Sequence, residues 1–231
     1  MTASTPSNGS LAGEAYTIVR RRILRGELSM GQVVSRRKLA SELGMSFLPV
    51  SEALLRLEYE GILESRPRAG TRIRIPSRAD VLGNYVVREA LEVQAAVLFT
   101  RAATPRHCHE LMKLAAKVED GVADDDRMSY VRIHHKLHRR IAEIAGCEAL
   151  VSAIDGNNAL ASIWFCAQPA RRAVSGVGRH QILVEALATG DASKAAEAVR
   201  DHLSASLKHT LPLLKPYFKL REANGRTYAR K

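Results

Sequence analysis

Cysteine is scarce: the 231-residue chain has three, at positions 108, 147 and 166. An odd number at wide spacing excludes a disulfide framework or a zinc ribbon and fits a reducing cytosol. No apolar run approaches the roughly 18 residues that span a bilayer, so no membrane partner is expected. Met1 to Ser10 is rich in Ser and Thr and has no apolar core. It is not a signal peptide and reads as a disordered tail, which makes the expected location cytoplasmic. Catalytic signatures are missing as well: there is no His-Glu-x-x-His, no Gly-x-Ser-x-Gly and no phosphate loop. Acidic residues are outnumbered, 24 against 35 Lys and Arg, for a net charge of +11. That excess favours a polyanionic partner. It is spread along the chain, with 12 basic and 7 acidic residues in 1–76 and 23 and 17 in 77–231. Charge alone therefore does not point to one half as a nucleic-acid surface.

What is present is a dense local pattern between Gly31 and Ile75. Ser35 to Gly44 reads as a short helix, because Ser35 can accept an orphan backbone N–H and Gly44 can take the left-handed conformation that ends it. Ser46 is placed to cap a second helix, with Pro49 in its first turn, where a missing N–H costs little. Val50, Ala53, Leu54 and Leu57 fall at i, i+3, i+4 and i+7, which is one buried face. Gly61 ends that helix. Ile62–Ser65 and Thr71–Ile75 are β-prone runs around Arg66-Pro67-Arg68-Ala69-Gly70, so they read as a hairpin. Ahead of all this, Leu11 to Arg25 is a basic amphipathic helix with apolar Ala15, Ile18, Val19, Ile23 and Leu24. Its Arg20-Arg21-Arg22 run is either a solvated face or a phosphate contact. Helix, tight turn, helix, hairpin is the order of a winged helix-turn-helix.

These residues resemble the GntR family of bacterial transcription regulators. The likeness runs through Arg25-Gly26-Glu27-Leu28 before Gly31, Arg37-Lys38-Leu39-Ala40, Pro49-Val50 with Glu52-Ala53-Leu54, Leu57-Glu58 with Glu60-Gly61, and Gly70 in the wing. It implies binding to a pseudo-palindromic double-stranded operator by a homodimer. The chain departs from the family at Phe47 and Ser51, where arginines that touch DNA are usual. The implied DNA-contacting set is Arg36, Arg37, Ser46, Phe47, Ser51, Arg56, Arg68 and Gly70.

Pro76-Ser77-Arg78-Ala79 breaks the pattern and reads as a linker, dividing 11–76 from 80–214. Beyond Asp80 only helices are expected: Asp80–Thr100, Pro105–Gly121, Met128–Ala145, Ala149–Cys166, Arg171–Ala188, and one from Asp191 to about Leu211. The fold class is thus mainly α, a winged helix-turn-helix followed by an all-α bundle. Asp124-Asp125-Asp126 reads as a helix start favoured by the macrodipole, with metal binding as the alternative. Gln168-Pro169 is an interruption. Lys215 to Lys231, basic and punctuated by Pro216 and Gly225, reads as a loose tail.

Histidine is the unusual feature of this second half. On the helix from Met128, Tyr130, His134, Leu137, His138, Ile141, Ile144 and Ala145 share one face, with His135 to the side. His180 shares a face with Leu183, Val184 and Leu187, and His202 with Ala195, Val199, Leu203 and Ser206. Three helices therefore each aim imidazole at an apolar interior, which is costly unless the rings are hydrogen-bonded or bind metal. Asp80 to Leu211 resembles the C-terminal domain of the FadR subfamily of that family, an effector-binding and dimerising bundle. Matching pieces are Val87-Arg88 with Leu91-Glu92, Leu137-His138, His180 with Glu185-Ala186-Leu187, Gly190-Asp191, Ala195-Ala196 and His202. The resemblance implies metal ligands at His138, His180 and His202, with His134 where an Asp is usual. An all-imidazole set suits zinc first, with nickel or iron as alternatives, and does not suit calcium or magnesium. Arg88 matches an arginine that holds carboxylate effectors; its other reading is an i, i+4 ion pair with Glu92. The implied function is a ligand-responsive regulator, in the first instance a repressor, whose effector is a small organic acid. A metalloenzyme using Glu143 or Asp155 near the metal, and a metal-free regulator with structural histidines, are the alternatives.

Overall fold

The computed structural model describes residues 10–67, 69–121, 127–166 and 179–228. The tail over 1–9, Arg68, the acidic turn at 124–126 and the Gln168-Pro169 interruption lie outside them. The chain divides after Arg74 into two compact units.

The first unit begins with α1, Leu11–Leu24, capped by Ser10, whose Oγ accepts from Gly13 N at 3.1 Å. β1 is Val33–Val34, α2 is Arg36–Leu43 and α3 is Phe47–Tyr59. Ser35 Oγ accepts from Lys38 N at 3.3 Å, and Gly44 ends α2 at φ 62°. Ser46 occupies the cap position of α3 without a side-chain hydrogen bond. Val50, Ala53, Leu54 and Leu57 are all buried, against α1 and the sheet. β2, Leu63–Arg66, and β3, Gly70–Ile73, form the wing. The sheet order is β1-β3-β2, both pairs antiparallel, with Val33 opposite Arg72 and Leu63 opposite Ile73. β1 is not anticipated by sequence: two residues are too few to display a period-2 alternation.

The second unit is helical: α4 Arg78–Ala102, α5 Pro105–Gly121, α6 Arg127–Ile144, α7 Glu148–Cys166, α8 Arg179–Ala188 and α9 Ala192–Tyr228. The second half of the expected linker, Arg78-Ala79, is helix. Ser77 and Asp80 close a reciprocal capping box, Asp80 N to Ser77 Oγ at 3.0 Å and Ser77 N to Asp80 Oδ2 at 2.7 Å, so α4 starts at Arg78. α4 runs along α9 and also packs on α6 and α7, while α5 packs on α6 and α8. Phe99, Leu111, Leu137, Ile154, Leu183, Leu187 and Leu214 fill the interior.

The loose tail expected from Lys215 is a correction: α9 continues through Pro212 and Pro216 to Tyr228. An interior proline costs about 3 kcal/mol in a helix. Here both prolines face solvent, Leu214 between them is fully buried, and Arg221 donates to the Ile75 carbonyl. Tertiary packing outweighs the local preference.

Candidate functional sites

The four histidines expected to converge do so. His134 and His138 lie one turn apart on α6, His180 is in the first turn of α8, and His202 is on α9. Ring centroids are 4.6 Å apart for His134 and His138, 5.0 Å for His134 and His180, 5.3 Å for His138 and His202, and 4.7 Å for His180 and His202. One ligating nitrogen from each lies within 4.8 Å of all the others. Nitrogens about 2.0–2.1 Å from a tetrahedral zinc are roughly 3.4 Å apart, within reach of small ring rotations.

The surroundings orient these rings. His138 Nδ1 is 2.9 Å from Glu92 Oε2 on α4, and His180 Nδ1 is 2.9 Å from Glu119 Oε1 on α5. Their Nε2 atoms, and both ring nitrogens of His202, are buried without a hydrogen-bond partner among the described residues. Burial disfavours the charged imidazolium. It pushes His134 and His202 well below the ordinary histidine range, assisted by the neighbouring rings. Burial and His138 push His180 down to about 4, against the opposing pull of Glu119. Buried imidazoles with unpartnered nitrogens, two of them backed by carboxylates, are the chemistry a metal ion requires. The cluster could hold one.

Beside it lies a cavity of about 80 Å³, lined by His134, Arg88, Tyr85, Tyr130, Asn158, Ser162, Trp164 and Thr210 among others. A water needs about 10–15 Å³ on this measure, so several waters or a small organic molecule fit. Arg88 forms the i, i+4 ion pair with Glu92, one of its two readings. It lines this wall, and its Nε donates to Glu92 Oε1 at 2.8 Å. Burial opposes the Glu92 charge, but Arg88 and then His138 outweigh it and hold the carboxyl well below the usual range. Tyr85 shares its hydroxyl hydrogen bonds with Ser206 at 2.8 Å and Thr210 at 3.1 Å. Glu143 and Asp155 stand apart from the cluster, engaged by Arg139, Arg140 and His135. The sequence does not single out Glu119, and it pairs Glu92 with Arg88 but not with His138. Neither carboxylate has a local motif; each is found only through the packing of α4 and α5 on the histidine-bearing helices.

On the first unit, Phe47 is 51% exposed and Leu48 67% at the start of α3. Ser46, Arg37 and Gly70 are exposed and Arg36 is half-buried. Gly70 has φ 74°, a conformation that favours glycine at the wing turn. Arg56 is exposed but engaged, 3.2 Å from Glu60 and 4.0 Å over the Tyr16 ring. Ser51 departs from the expectation. It is buried, because the packing arc of α3 is wide enough to cover it beside Val50 and Leu54, and so it does not belong to the exposed face of α3.

Comparison with known proteins agrees with both halves. Residues 11–73 match the family described as bacterial regulatory proteins, gntR family, and residues 84–205 match the FCD domain. The chain is 28% identical over 205 residues to "Probable D-xylose utilization operon transcriptional repressor" of Paenarthrobacter nicotinovorans, covering 87% of this chain and 89% of that one. It is 23% identical over 135 residues to the HTH-type transcriptional repressor RspR of Escherichia coli K12, covering 58% and 59%. E. coli McbR/YncC has a similar fold at TM-score 0.73 and 20% identity, covering 88% and 98%. A GntR regulator structure from Rhodococcus sp. RHA1 gives 0.74 at 19% identity, covering 88% and 99%. Among the described residues no helix is long and apolar enough to cross a membrane. This chain belongs to the GntR family of bacterial transcriptional regulators, with an N-terminal winged helix-turn-helix and a C-terminal FCD domain, and is not an enzyme.

Proposed function

We propose that the protein is a cytoplasmic, homodimeric repressor of the FadR type whose bundle binds a divalent transition metal and a small organic acid. The observation that carries this reading is the set of buried ring nitrogens on His138, His180 and His202 that lack hydrogen-bond partners among the described residues, beside a cavity walled by Arg88. His134, His138, His180 and His202 would hold the ion; zinc fits a neutral imidazole set best, ahead of nickel or iron. The bound ion supplies a positive charge for an anionic effector. The chain supplies Arg88 for its carboxylate and the Tyr85, Ser206 and Thr210 hydroxyls nearby.

Two copies would present two α3 helices to successive major grooves of a pseudo-palindromic operator. Arg36 and Arg37, with Arg56 and the wing residue Arg68, supply charge for phosphates and bases. Phe47, Leu48 and the Ser46 hydroxyl sit where α3 would enter the groove. An apolar pair there reads thymine methyls or groove shape in place of guanine edges. The effector shifts the population between operator-fitting and non-fitting dimers.

Selection of bound DNA from a random pool, with and without zinc and a panel of organic acids, tests this. A recovered palindrome whose binding is weakened by one acid only when zinc is present supports the reading. A palindrome whose binding ignores metal and every acid contradicts the effector site.

A further inference from the structure

Behind the cavity wall and the histidine cluster lies one carboxylate, Glu92, with a charged or ring nitrogen close to each of its oxygens. Glu92 Oε1 accepts from Arg88 Nε at 2.8 Å, and Oε2 lies 2.9 Å from His138 Nδ1. All three side chains are buried. Arg88 also lines the cavity, whereas Glu92 and His138 do not. Glu119 stands in the comparable place behind His180, with its Oε1 2.9 Å from His180 Nδ1.

We propose that Glu92 is a positioning residue that couples the effector cavity to the metal site: Arg88 and His138 share one carboxylate, so what Arg88 does changes how well His138 binds a metal. This rests on the four-histidine metal reading. Arg88 and the His138 ring draw on the same negative charge. With Arg88 fully engaged, less of that charge acts on the His138 ring, and the ring is a weaker donor. When an anion in the cavity takes the guanidinium, Glu92 is left to His138, and its ring nitrogen facing the cluster becomes more basic. Carboxylates behind ligating histidines change metal affinity by about 10- to 100-fold when removed. By linkage, metal bound on His138 loosens Arg88 for an anion by the same factor.

Zinc alone is a sufficient probe. Its affinity is measured by competition with a chromophoric chelator for the full-length wild type, Glu92→Gln, Glu119→Gln, Arg88→Gln, and the two doubles pairing Arg88→Gln with each glutamate change. Melting curves under chelator confirm that each variant is folded. Glu92→Gln and Glu119→Gln should each weaken zinc about 10- to 100-fold. Arg88→Gln should tighten zinc several-fold in the wild-type and Glu119→Gln backgrounds, and leave it unchanged in Glu92→Gln. Glu92→Asp, if folded, should recover part of the lost affinity. The same Arg88→Gln effect in all three backgrounds, or Glu92→Gln within twofold of wild type, overturns the coupling while the metal site stands. Wild type that binds no zinc removes both.

Discussion

Replacing His202 by leucine should stabilise the metal-free protein while abolishing its response to zinc. His202 is 8% exposed, and neither ring nitrogen has a hydrogen-bond partner among the described residues. Its neighbours are Leu203 on the same helix and the rings of His138 and His180 at 5.3 and 4.7 Å. A buried polar group left unsatisfied costs about 1–3 kcal/mol, and leucine of similar volume carries no such group. The net gain expected is therefore about 1–3 kcal/mol without metal. At about 2–4 °C per kcal/mol for a unit of this size, the melting temperature should rise by roughly 2–12 °C. Wild type should gain further on adding zinc, by RT ln(1 + [Zn]/Kd), or about 2.7 kcal/mol at a hundred times Kd. The variant should gain almost nothing. The assay is thermal unfolding by circular dichroism, in chelator and in excess zinc. Loss of stability in chelator, together with a wild type indifferent to zinc, refutes the reasoning and makes His202 an ordinary core residue.

The chelated protein should also be acid-sensitive in a defined window. His180 is pushed down to about 4 and His134 and His202 well below their usual value, so the unfolded chain binds more protons below about pH 6.5. Stability is present above that pH and falls as pH drops towards 4; equal melting temperatures at pH 7.0 and 5.0 would contradict the burial argument. Arg37→Ala should weaken operator binding strongly and lower the salt slope by about 1, with melting unchanged; Arg56→Ala should do so less and also cost stability, through Glu60 and Tyr16. Mobility shifts at several salt concentrations check both, and no change from either would remove the contact assignment. Leu214→Ala should cost about 2–5 kcal/mol if α9 packs beyond its prolines, and well under 1 kcal/mol if that stretch is loose.

Much of the architecture was legible because it rests on periodicity. Val50, Ala53, Leu54 and Leu57 share one face whatever the rest of the chain does, and the inward stripe of α6 already contains His134 and His138. Punctuation was legible where a conformation demands it, as at Gly44. What escaped depends on partners distant in sequence. Two prolines are a local stop signal, yet Leu214 is fully buried and Arg221 reaches the Ile75 carbonyl and Asp80 at the start of α4, so α9 stays helical. Ser51 looks polar and available, but the packing arc of α3 is wide enough to cover it. Local spacing shows Glu92 only as half of a helix pair, because its second neighbour, His138, lies on another helix. Glu119 ends α5 with no pattern of its own, 61 residues before the ring it meets.

The most direct test of the account is the metal content of untagged protein after gentle purification and gel filtration, beside a His180→Ala control. The account predicts about one zinc, nickel or iron per wild-type chain and little in the control. Wild type and control alike near zero, with no uptake from added zinc, would contradict it.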